Sequence, residues 1–123
     1  MDNTPAKLYT MLNVSDITNI VNDISPYVRD REDSFPAVVY EVPNEQFDRT
    51  STGYNRALAD AEVTVKTRSA QQGEDIASVV FDTLAAESCV VIHSISREYD
   101  QSYDGSSAGI YSVRLSIQIS QGV

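Results

Sequence analysis

Few residues in this chain have the types and spacing that chemistry needs. It holds one cysteine and one histidine, Cys89 and His93, four positions apart in the run Cys89-Val90-Val91-Ile92-His93. Strand alternation would put both side chains on one face, about 13 Å apart at ~3.3 Å per residue. That is beyond direct contact for a thiolate–imidazole dyad. They are expected to be a packed thiol and a strand histidine. No Gly-x-Ser-x-Gly elbow occurs. The stretch Asp100-x-Ser102-x-Asp104-Gly105 offers oxygens at positions 1, 3 and 5 of a calcium loop and glycine at position 6. Position 12, which needs a bidentate glutamate, is Tyr111. The flanks read as strands, so no metal is expected and Asp104-Gly105 is read as a turn. The glycines Gly53, Gly73, Gly105, Gly109 and Gly122 have neither Walker nor dinucleotide spacing, and no cofactor is expected. Asp60 with Glu62 and Glu74 with Asp75 are paired carboxylates. Among 18 acids in 123 residues such pairs arise by chance.

The elements that must position these groups follow from periodicity. Leu8, Met11 and Leu12 recur at helical spacing behind Thr4-Pro5, a capping residue and a first-turn proline, which predicts a short helix over 6–14. Ile17, Ile20, Val21 and Ile24 continue that spacing and predict a second helical segment stopped by Pro26. Residues 27–33 alternate in charge sign and read as a short edge strand or extended loop. Ala37 to Val42 is β-branched and aromatic between Pro36 and Pro43, as a strand should be. Asn44 to Arg56 is polar and long, and reads as a loop. Phe47 and Tyr54 make it a candidate arm that docks on a neighbouring subunit. From Leu58 to Thr67, Ala59, Ala61, Val63 and Val65 alternate with Asp60, Glu62, Thr64 and Lys66, the signature of a strand with one apolar and one polar face. Ser69 with Gln72 three residues on is a capping box opening a helix to about Ala86. Cys89–Tyr99 and Ile110–Ser120 should pair as an antiparallel hairpin. The chain is therefore expected to be one two-layer α+β domain over 1–123, with an antiparallel or mixed sheet of four to five strands and two helices on one face. Its other sheet face would be polar and bare.

Lys and Arg total 9 against 18 Asp and Glu, a formal charge of −9, and the pI is about 4.3. A field of that sign opposes binding to nucleic acid or to an anionic membrane surface. No apolar run approaches the ~20 residues of a membrane-spanning helix. Met1-Asp2-Asn3-Thr4-Pro5 has neither a basic nor an apolar leader segment, so no secretory signal is expected. A lone cysteine allows no internal disulfide and no thiolate zinc cluster.

An ordered set of segments resembles the tail completion or tail terminator proteins of tailed bacteriophages. The set comprises the helix with Leu8 and Leu12, the apolar run Ile17–Ile24 and the strand Phe35-Pro36-Ala37-Val38-Val39-Tyr40. A polar excursion and the strand Ala61-Glu62-Val63-Thr64-Val65 follow, the latter leading straight into the helix 70–86 and a closing hairpin near Ile119. The resemblance implies a non-enzymatic virion protein of the tail and neck, present in the host cytoplasm before assembly. It implies a ring, usually hexameric, on the end of the tail tube, with DNA passing through and not specifically bound. The implied partners are further copies of the chain, the major tail tube protein and a connector or head-completion protein. Phe47, Tyr54, Arg56 and Arg114 become candidates for subunit contacts. Asp60, Glu62, Asp100 and Asp104 become candidates for the lumen wall or ring stacking. A head-completion or connector role in the same neck is the nearest alternative. A small cytoplasmic enzyme or ligand-binding subunit using His93, Asp100 and Asp104 is a remote one.

Overall fold

The computed structural model describes residues 4–26, 35–50, 53–100 and 109–122, and the side chains of all of these but 48–50, 53–56 and 121–122. The order of elements is α1 (Thr4–Leu12), α2 (Ser15–Thr18), β1 (Asp23–Pro26), β2 (Ala37–Thr50), β3 (Gly53–Thr67), α3 (Ala70–Ala85), β4 (Val90–Asp100) and β5 (Ile110–Gly122). The strands form one mixed sheet in the order β1-β2-β3-β5-β4. β1 runs parallel to β2, and every other neighbouring pair is antiparallel. This is the α+β architecture that the alternation predicts, with the helices on the apolar side.

The core forms because period-2 strands and period-3.6 helices present matching apolar faces. Val63 and Val65 of β3, with Val113, Leu115, Ile117 and Ile119 of β5, are fully or almost fully buried. Val80 and Leu84 of α3 and Leu8 and Leu12 of α1 pack against them with no exposed surface. Tyr9 of α1 meets Tyr40 of β2 with ring centroids 6.1 Å apart and tilted by 46°, within the range of favourable aromatic pairs. α3 begins as its capping box predicts: the Ser69 hydroxyl oxygen accepts from the Gln72 backbone N–H at 3.4 Å.

Two expectations are corrected. Residues 44–50 and 53–56 are strand, not loop. Asn44–Asp48 pair with Ala57–Asp60 and Arg56, and Arg49 and Thr50 pair with Tyr54 and Gly53. β2 and β3 therefore form one long ribbon, whose polar composition reflects its distance from the core and not a lack of backbone pairing. The helical spacing of Ile17–Ile24 holds for only one turn. α2 ends at Thr18, and Ile24 lies in β1, opposite Val38. Parallel pairing along β2 engages the backbone of Asp23–Pro26 and brings Ile24 against the core. The short edge strand or extended loop expected over 27–33 falls outside the described residues; the edge strand β1, at Asp23–Pro26, precedes it.

Candidate functional site: the acidic face of the sheet

Alternation sends every second residue of the central strands away from the helices. That face carries Asp60, Glu62, Thr64 and Lys66 from β3, and Ser112, Arg114, Ser116 and Gln118 from β5. Val39 and Glu41 of β2 join it opposite Thr64 and Glu62. β4 reaches it through a bulge. Ile92 pairs with Ile117, yet Ser94 pairs with Ser116, so His93 is the extra residue. An inserted residue reverses which side chains point to which face. Before the bulge, Val90 and Ile92 point to the helix layer; after it, Ile95, Arg97 and Tyr99 do. Ser94, Ser96, Glu98 and Asp100 are thereby turned onto the polar face. The expected shared face of Cys89 and His93 is corrected by the same feature: Cys89 precedes the strand, and His93 sits at the irregularity, exposed.

Among the described residues the face is dominated by Glu41, Asp60, Glu62, Glu98 and Asp100, with Lys66 and Arg114 as its cations. Around Val39, Glu41, Glu62, Thr64 and Arg114 it dips into a shallow hollow of about 310 Å³. Glu41 and Glu62 are directly opposed across β2 and β3. Arg114 Nε lies 4.0 Å from Glu62 Oε2. The Asn44 amide donates to Asp60 Oδ2 at 3.2 Å.

Two carboxyls in register repel each other when both are ionised, which favours the protonated form. The Glu41 carboxyl is held above its usual 4.5, first by its hydrogen bond with Glu62, then by burial and by the Glu62 charge, while Arg114 pulls the other way. The folded chain therefore holds this proton more tightly than the unfolded chain. The stability it contributes is full below about 4.5 and is lost as pH rises through the raised value. Glu41→Gln keeps a neutral donor opposite Glu62 and removes the titration. Its urea midpoint should equal or exceed the parent's at neutral pH, with a flatter profile from acid to neutral pH. A midpoint that drops at neutral pH would show that the ionised carboxyl stabilises the fold.

The structure brings Glu62 and Arg114 together and puts Asp60 and Asp100 on the same face. Arg114 is at the centre of that face, opposite Thr64, and not at an edge of the sheet. Phe47 lies on β2, on the helix side, and is 41% exposed. The side chains of Tyr54 and Arg56 lie outside the described residues, as does Asp104. His93 and Asp100 are seven residues apart on one strand, about 23 Å at ~3.3 Å per residue, and do not meet. No group of three or more His, Cys, Asp or Glu among the described residues could hold a metal ion, and no helix among them is long and apolar enough to cross a membrane. Sequence reading missed Glu41 and Glu98. Each sits at an alternating strand position, but only cross-strand register shows that Glu41 faces Glu62 and that the bulge turns Glu98 onto the acid face.

No family model matches the chain, and no curated protein sequence matches it. Among solved structures, a chain from the virion of a native gene transfer agent (GTA) particle has the same fold. The TM-score is 0.58 at 14% identity, over 94% of this chain and 92% of that chain. At such identity the likeness is one of fold.

Proposed function

We propose that this chain is a structural protein of a phage-like virion, and that it closes the head-proximal end of a tail tube as a ring through which DNA passes. The observation that supports this best is the acidic face: a broad, open sheet surface, rich in carboxylates, on a fold shared with a chain of a gene transfer agent virion. A wall of that sign repels phosphate and leaves DNA free to move, whereas a basic wall would retain it through counterion release. Asp60, Glu62 and Asp100 are the lumen-facing residues in this reading, and Glu41 and Glu98 join them. The ring is hexameric if it follows the proteins the sequence resembles. Its neighbours are then the tail tube protein on one side and a connector or head-completion protein on the other.

Negative-stain electron microscopy of the purified protein, alone and mixed with tail tubes, tests the reading. Rings, or caps at one end of the tubes, are the expected images. Protein that neither forms rings nor caps tubes would refute it.

A further inference from the structure

We infer that copies of this chain join edge to edge, β4 of one pairing antiparallel with the distal half of β2 of the next, with Phe47 opposite Ile95 and Glu45 opposite Arg97. The inference rests on the proposed self-assembly and names the surface through which it occurs.

The sheet presents two open edges among the described residues. β4 is the last strand on one side among the described residues. On the other side β1 lies beside β2 from Ala37 to Tyr40, and among the described residues no strand lies beyond β2 on that side past Tyr40. Unpaired strand edges template further pairing. β2 and β5 run one way, β3 and β4 the other, so a second copy in the same orientation brings its β2 antiparallel to β4. That contact joins two different surfaces, so it repeats from copy to copy and closes into a ring if the rotation allows.

Side chains select the register. Glu45 and Phe47 point to the helix side of β2, because their partners Ala59 and Ala57 are buried there. Ile95 and Arg97 point to the helix side of β4 beyond the bulge. With Phe47 opposite Ile95, antiparallel pairing sets Glu45 opposite Arg97, a carboxylate against a guanidinium, and Gln46 opposite Ser96 on the acid face. A slip by one residue sends Phe47 to the wrong face. A slip by two sets Phe47 against Arg97 and loses the ion pair. The receiving side is also apolar: Ile95 is 38% exposed and Phe81 of α3 36%. Between them runs a groove of about 290 Å³ with Val113 and Ala77 in its lining. Arg97 Nε already donates to Glu74 Oε1 at 2.6 Å, which holds the guanidinium beside this edge with further N–H groups for Glu45.

The same register has the stagger that closure needs. Followed across the sheet, Phe47 aligns through Ala57 with Gln121 of β5, whereas Ile95 aligns with Leu115, six residues away on that strand. Six residues are about 20 Å along the strands and four strands are about 19 Å across them, a tilt near 45°. Closed barrels tilt their strands by ~35–45°. Copies joined this way share one continuous sheet, with the helices on one side and the acid face on the other.

Cysteine cross-linking tests the inference. In a Cys89→Ser background, Gln46→Cys and Ser96→Cys together should give, on oxidation, a covalent ladder in denaturing gels that ends at the ring. Neither single substitution should give one beyond a dimer. Glu45→Arg should reduce the ladder and Arg97→Glu added to it should recover part of the loss, with circular dichroism confirming folded protein throughout. Rings on the grid without a ladder overturn the edge pairing and leave the ring reading standing. A stronger ladder from Gln46→Cys with Ser94→Cys overturns this register. Protein that never assembles, alone or on tubes, overturns both.

Discussion

Leu115→Ala should lower the folding free energy by about 2–5 kcal/mol, the range for large-to-small changes at buried leucines. Leu115 lies in the middle of β5, between Val63 of β3 and Ile95 of β4, and has no exposed surface. It belongs to the cluster that α3 covers through Val80 and Leu84. Truncation removes apolar atoms from a site walled by strands on both sides, so the surroundings can collapse only in part. A domain of this size holds roughly 5–15 kcal/mol in total, and the variant would spend a large share of it. Urea unfolding followed by circular dichroism gives the difference directly. Val91→Ala is the control: Val91 is 55% exposed, and a change beyond about 0.5 kcal/mol there would mean that burial does not order these effects.

Gly73→Val should destabilise the protein by about 1–3 kcal/mol from overpacking, with a further loss because valine is a poor helix former. Gly73 lies in the first turn of α3, its N–H bonded to the Ser69 carbonyl at 2.9 Å. A Cβ placed there would sit 2.6 Å from Cδ2 of Tyr111 and 2.9 Å from Oγ1 of Thr67. Thr67 has no room to give: it is fully buried, and its hydroxyl donates to the Ser69 carbonyl at 2.7 Å. The informative variant is Gly73→Ala. In an open helix it would gain about 1 kcal/mol, so a loss here isolates the clash with the sheet. Combined with Tyr111→Ala, the same substitution should cost less than it does in the parent, the contact with Thr67 remaining. Additive losses in urea unfolding would show that Tyr111 is not what the glycine accommodates.

The two predictions draw on different kinds of information. Leu115 was legible as core because Tyr111, Val113, Leu115, Ile117 and Ile119 alternate with polar residues. Gly73 was not. Nothing in Gln72-Gly73-Glu74 reports that an aromatic ring 38 positions later will lie against that turn. The same divide runs through the fold. Ser69 and Gln72 announce the start of α3 through local hydrogen bonding, and the structure keeps it there. The strand pairing of 44–50 with 53–60 escaped detection because composition reports burial, whereas these stretches are held by backbone pairing far from the core. The bulge at His93 escaped too. Val90-Val91-Ile92 is continuously apolar and marks no change of face, and only pairing with β5 reveals that one residue is extra.

By itself the sequence determined the sign of the charge, the faces of the two central strands, the limits of the main helix and the absence of a recognisable catalytic motif. All of these rest on interactions within a few residues, or on sums over the chain. Tertiary structure decided the strand order, in which β5 enters between β3 and β4. It decided the register that sets Glu41 against Glu62, and it decided which strand edges stay open. Period-2 alternation tells each side chain which face to take but not which strand lies beside it. Neighbour and register come from packing the helices over the whole apolar face at once, and that is a property of the assembled sheet, not of any one segment.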